Sequence, residues 1–221
     1  MATAARPVTG TVPRPRSQKK LWGFVAFFIA TAFVTFMKNR EIFNPASDIA
    51  RHFAPATMFL IPHALFASIA LVMGAFQFSN RLRAKYLTVH RVMGYTYVVC
   101  AFIGAPIAIP LAKRLGTPSL VAASAVQTFG WLACTAIALY CVRNGNIQQH
   151  RRWMIRGYPF AMVFTVARLI IPIPPVLQSG ITGIEIVVWT TIVAAAILPT
   201  IFLEWPSTKA KPSAKVLAQA S

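Results

Sequence analysis

Carboxylates are scarce in this sequence: 4 among 221 residues, at Glu41, Asp48, Glu185 and Glu204. Catalysis by a pair of cooperating carboxylates therefore has little to draw on. Cysteine is also rare. Cys100, Cys134 and Cys141 form no C-x-x-C, and an odd count completes no disulfide framework. All three fall within or at the end of apolar runs, where a free thiol packs as a small apolar group. No G-x-S-x-G is present, which removes the nucleophile elbow of the hydrolases. Charge as a whole is sparse, at 12% of residues. A soluble domain carries about 25%.

What is abundant is apolar. Hydrophobic residues make up 57% of the chain, and the mean hydropathy is +0.60. Six long runs stand out: Leu21–Met37, Phe53–Phe78, Val92–Ala112, Leu115–Val142, Gly157–Val176 and Ile181–Leu203. A helix needs about 20 mainly apolar residues to cross ~30 Å of hydrocarbon. The runs predict an all-α, polytopic membrane bundle of about six transmembrane helices over residues 21–205. Residues 1–20 form a disordered basic tail, and residues 206–221 a second disordered tail. No small-x-small cleavage pattern follows Met37, so the first run reads as a retained helix rather than a signal peptide.

The chain carries 22 Lys plus Arg, for a net charge of +18. The cations sit in short clusters between runs. With the N-terminus inside, Arg6, Arg14, Arg16, Lys19, Lys20, Arg81, Arg83, Lys85, Arg91, Arg143, Arg151, Arg152, Arg156, Lys209, Lys211 and Lys215 lie on the inner side. Lys38, Arg40, Arg51, Lys113 and Arg114 lie outside. Such a bias places both termini in the cytoplasm, in the cell's inner (plasma) membrane. The scatter offers no basic face that tracks phosphates, so no nucleic-acid partner is expected.

Small residues mark helix contacts, since lipid supplies no hydrophobic drive between helices. Ala67, Ala70 and Gly74 form one stripe; Ala101, Ala105 and Ala108 form another. Ala122, Ala123, Ser124, Ala125 and Gly130 do the same on the fourth run.

Ionisable groups within spans point to function by default. At 1.5 Å per residue, His63 lies ~15 Å from the outer end of its span, Arg168 ~12 Å and Glu185 ~6 Å. Gln127 sits at a depth like that of His63. These four are expected to meet in the outer half. They would form either a polar pocket for an anionic or redox-active ligand, or an Arg168–Glu185 pair with His63 and Gln127 bonded across helices.

A second cluster lies on the inner side. Gln77, Arg81, Arg83, His90 and Arg91 surround the link between spans two and three. His150, Arg151, Arg152 and Arg156 lie between spans four and five. Both links end in His-Arg at the start of a helix. Topology accounts for the arginines and for an interfacial Trp153, but not for His in the same place twice. Three ligands suit these histidines. An anionic lipid headgroup needs only the cations. Haem b needs two axial histidines at matching depth, which His90 and His150 supply, with His63 as a further candidate. Zinc needs three or four ligands, and no Cys, Asp or Glu accompanies the pair, so no metal site is expected. Prolines at 62, 106, 110 and 159 are placed to break helices as in a transporter.

Taken in order, His63, Gln77-Phe78, Arg81-x-Arg83, His90-Arg91-x-x-Gly94-x-x-Tyr97, His150-Arg151-Arg152-Trp153-Met154-Ile155-Arg156 and Arg168 resemble the bacterial predicted-membrane-protein family called domain of unknown function 2306. The resemblance covers roughly residues 55–175, and the His-Arg-Arg-Trp-Met-Ile-Arg stretch is its most specific part. It implies a membrane protein and assigns no activity. The arrangement is also loosely similar to small membrane cytochromes b.

The expected function is binding of an anionic lipid or small ligand through the paired His-Arg links. A haem b- or quinone-linked redox protein is the alternative, and a small transporter a weaker one.

Overall fold

The computed structural model describes residues 46–205, together with Ala26, Phe33, Phe36, Met37, Arg40 and Asn44. Both expected tails and most of the expected first span lie outside the described residues. Among the described residues there are helices and no strands. A short α1 (Asp48–Phe53) and a 3-10 turn (Ala54–Ala56) lead into α2 (Thr57–Gln77). Then come α3 (Asn80–Lys85), α4 (Leu87–Leu115), α5 (Pro118–Arg143), α6 (Ile147–Ile170), α7 (Pro174–Gln178) and α8 (Gly180–Glu204).

Among the described residues, four helices are long and apolar enough to cross a membrane: α2 with its preceding turn, α4, α5 and α8. Each overlaps an expected span. α6 differs most from expectation. Its expected run, Gly157–Val176, starts ten residues too late and ends six too late. Charged residues do not end a helix, and Arg and Gln are good helix formers, so the Gln148–Arg156 stretch is helical. Pro172, Pro174 and Pro175 do end it.

Local chemistry sets the ends. The Ser79, Thr117 and Asn146 side chains accept from the backbone N–H groups of Leu82, Leu120 and Gln149 at 3.2, 3.3 and 3.1 Å. Each cap satisfies one of the otherwise orphaned donors of a first turn. Pro118 follows its cap at N1, where its missing N–H costs nothing. Gly145 takes φ 75° in the tight turn before α6, a conformation that penalises a Cβ. Links of two or three residues join α4 to α5 and α5 to α6. Such links force antiparallel neighbours, so α4 and α6 run parallel and begin at the same end.

Four helices close a ring: α2 packs on α4, α4 on α5, α5 on α6, and α6 touches α2. α8 lies outside it against α6 and α5. Small residues bring the backbones together. A Cβ on Gly104 of α4 would stand 2.8 Å from Phe66 Cβ and 3.1 Å from the Ala67 nitrogen of α2. A Cβ on Gly157 of α6 would stand 2.9 Å from Cys134 Cβ of α5. Ala70, Ala101 and Ala123 are fully buried in these seams. Larger side chains fill the centre, among them Tyr97, Trp131, Tyr158, Phe160 and Val163. The outer surface carries exposed Met58, Phe129 and Phe202, as expected where lipid is the solvent. The helices run on through Pro62, Pro106, Pro110 and Pro159 without a break.

Candidate functional site

Of the two expected outer arrangements, the cross-helix bonds of His63 and Gln127 form, without the Arg168–Glu185 pair. His63 Nδ1 lies 2.8 Å from the Gly104 carbonyl oxygen and donates to it, tying α2 to α4. Gln127 Nε2 donates to the Phe160 carbonyl at 2.9 Å, tying α5 to α6. Its Oε1 is buried with no partner. Glu185 accepts from the Thr117 hydroxyl, fastening α8 to the start of α5. Arg168 is half-buried, and its charge bears on His63. The expected Arg168–Glu185 pair is absent. The two ion pairs between α6 and α8 are instead Arg152–Glu204 and Arg156–Glu204. Glu185 is engaged by Thr117. Arg168 falls in the last turn of α6, ~3 Å from the helix end. A cation there is favoured by the helix dipole.

The other cluster does assemble. At the end of the ring where α4 and α6 begin, a cavity of about 650 Å³ opens between α4, α5 and α6, closed on one side by the end of α2 and by α3. Gln77, Arg83, His90, Arg91, His150 and Arg151 all line it. Arg81 and Arg156 do not. Arg156 and Arg152 hydrogen-bond Glu204 at 3.0 and 2.7 Å, and the Arg156 guanidinium lies 5.1 Å from the centre of the Trp153 ring.

The two histidines are the fourth residues of parallel helices, α4 and α6. They therefore stand at the same height. His150 Nδ1 donates to the Ala138 carbonyl of α5 at 2.9 Å. That bond fixes the proton on Nδ1 and leaves Nε2 with a lone pair. Gln77 holds His90. With its amide nitrogen toward His90, Gln77 donates to Nδ1 at 3.1 Å and its oxygen accepts from the Gly94 N–H at 3.2 Å. In both residues Nδ1 is occupied; in the neutral rings Nε2 carries the lone pair in His150 and the proton in His90.

Arginine supplies the whole charge of the wall: Arg83, Arg91, Arg143 and Arg151, with no carboxylate among the lining residues. Desolvation, and then the Arg151 charge, hold the Arg83 guanidinium below its usual range. Arg83, Arg91 and His150 all bear electrostatically on His90. Deeper in, the wall turns apolar, with Val98, Leu139 and Met154. The lining runs along α4 from Leu87 to Val98, ~16 Å at 1.5 Å per residue.

The floor is a hydroxyl pair. Tyr97 is 1% exposed. Its hydroxyl accepts from Trp131 Nε1 at 2.8 Å and lies 3.5 Å from the Thr135 hydroxyl. Tyr158, beside it, donates to the Leu71 carbonyl at 2.9 Å. Sequence reasoning did not single out Thr135, Trp131 or Tyr158, and it assigned Arg143 to topology alone. Spacing carried one usable signal: Arg143 and His150 flank a link that must turn the chain back on itself.

Among the described residues, no three His, Cys, Asp or Glu side chains are grouped to hold a bare metal ion. The profile of a family described as predicted membrane protein (DUF2306) matches residues 58–203. No curated protein and no solved structure matches the chain.

The floor generates a stability prediction. Tyr97→Phe leaves the buried Trp131 N–H without an acceptor and costs about 1–3 kcal/mol. Denaturation in neutral detergent measures it. Trp131→Phe added to Tyr97→Phe costs less than Trp131→Phe alone, because the two share one bond. Additive losses would show that the bond contributes nothing.

Proposed function

Since the chain belongs to the DUF2306 family of predicted membrane proteins, we propose that its function is carried out from within the bilayer, by binding an anionic, largely apolar ligand in the cavity between α4, α5 and α6. The observation that carries this is the charge of the wall. Every ionised side chain that lines the cavity is an arginine, while Glu204 is held by Arg152 and Arg156. Guanidinium groups bind phosphate and carboxylate through paired, charge-assisted bonds. The apolar depth behind them suits a hydrocarbon or ring body. Pockets for small ligands combine such walls with a few polar groups.

The membrane placement follows the same charges. α6 has the length of its neighbours and packs between α5 and α8, so it crosses as a fifth span, its polar first turns lying at headgroup depth. With the run at Leu21–Met37 the count is six. Both termini then face the cytoplasm of the inner membrane, on the side where the basic residues gather. The cavity opens to that side, where anionic headgroups concentrate.

Two measurements test these statements. In neutral micelles, dodecyl phosphate binds about tenfold or more tightly than dodecyl phosphocholine, and Arg83→Gln with Arg151→Gln weakens it about ten- to a hundredfold. Equal binding of the two amphiphiles, or no loss in the double variant, contradicts the proposal. A green fluorescent protein fused after Ser221 fluoresces, and alkaline phosphatase fused there is inactive. Active phosphatase would reverse the orientation.

A further inference from the structure

We infer that the cavity is a haem b site in which His90 and His150 ligate the iron from opposite sides and the propionates meet the arginines at the mouth. The inference rests on the anionic-ligand reading and names the ligand. Four observations lead to it. His90 and His150 come from parallel helices separated by α5 and occupy the same helical position, the fourth residue. Two ligands at one height on two walls define an axis across the cavity rather than a cluster on one side.

Both rings are held at Nδ1, in opposite roles. His150 Nδ1 is bonded to Ala138 O, and His90 Nδ1 faces the Gln77 amide. Such outer partners orient a ligating imidazole and fix which nitrogen meets the metal. In a neutral His150 ring Nε2 carries the lone pair. A neutral His90 accepts at Nδ1 and carries its proton on Nε2, so ligation there moves that proton to Nδ1 at the expense of the Gln77 bond.

The donor count also decides between metals. A bare zinc ion takes four ligands, three of them from protein even at a catalytic site. Here two histidines stand without any Cys, Asp or Glu beside them. Two imidazoles suffice only where a macrocycle fills the remaining four positions of the metal. The space agrees. The cavity of about 650 Å³ lies mid-range for small-molecule and cofactor pockets, which run from ~300 to ~1,000 Å³. Gly94, one turn beyond His90 on the same helix, lines it where a Cβ would stand 3.2 Å from the Gln77 carboxamide. Val98, Leu139 and Met154 supply apolar contact, and Arg83, Arg91, Arg143 and Arg151 supply the cations that two carboxylates require. His63 takes no part. It is bonded to Gly104 on the ring's other seam and does not line the cavity.

The experiment compares hemin with iron-free protoporphyrin IX, which has the same ring and propionates. Each is titrated into the purified full chain in neutral detergent, and hemin-loaded protein is then reduced with dithionite. Hemin is expected to give the low-spin spectrum of two axial imidazoles and to bind about tenfold or more tightly than protoporphyrin IX. His90→Ala and His150→Ala each abolish the low-spin spectrum and leave protoporphyrin binding unchanged, which also reports that the variants are folded. His90→Met and His150→Met shift the spectrum to that of a mixed His–Met pair. His63→Ala changes nothing. A hemin spectrum indifferent to both cavity histidines, or equal affinity for the two porphyrins, overturns the ligation while the anionic-ligand reading stands on its dodecyl phosphate result. Failure of hemin, protoporphyrin IX and dodecyl phosphate alike to bind overturns both.

Discussion

Four guanidinium groups face one cavity, and no carboxylate faces it with them. That imbalance governs the basic end of the bundle. Two unit charges ~8 Å apart near a protein surface repel by about 2 kcal/mol at an effective dielectric of ~20. A protein with acid to spare would place some of it here. This chain has four carboxylates. Asp48 pairs with Arg51, Glu185 accepts from Thr117, and Glu204 serves Arg152 and Arg156. Among the described residues, no carboxylate is left for the cavity arginines.

The rest of the fold keeps that end from collapsing. α2 and α4 are locked by the close approach at Gly104 and the His63 bond to its carbonyl. α5 and α6 are locked at Gly157 and by Gln127 on Phe160. Trp131, Tyr97 and Thr135 plug the centre beneath the cavity. These contacts hold the ring together, and the cavity opens at the basic end between α4, α5 and α6. His63 and Gln127, which the sequence marks as unusual within spans, thus act as rivets. The polar groups they bond are backbone carbonyls. Any donor in the bilayer interior must find such a partner inside the protein.

Much of the fold is legible in the sequence, because hydrocarbon imposes one simple rule on composition. α2, α4, α5 and α8 were marked by uncharged length, and the alanine stripes at Ala70, Ala101 and Ala123 by small-residue spacing. The family resemblance was legible too, although the matched region, 58–203, reaches on through α8 rather than ending near 175. The far end of α6 was misplaced because the apolar run continues through Pro172, Pro174 and Pro175, whereas the helix stops at Ile170. That shift put Arg168 deeper in its span than the last turn it occupies. The inner site fared better. His90 and His150 repeat one pattern at two helix starts, and a repeat of that kind survives any shift of boundaries. The floor beyond Tyr97 was illegible because Trp131 and Thr135 look like core residues until the open space above them is seen.

The most direct measure of the uncompensated charge is how the ligand-free protein responds to a small polyanion. Ligands that bind only the folded state stabilise it by mass action. At constant ionic strength in neutral detergent, replacing chloride by pyrophosphate should raise the melting temperature of the native chain. It should leave a chain carrying both Arg83→Gln and Arg151→Gln unmoved. Identical melting of the native chain in the two salts would mean that the arginines are already neutralised or too far apart to act together, and the cavity would lose its claim to an anion.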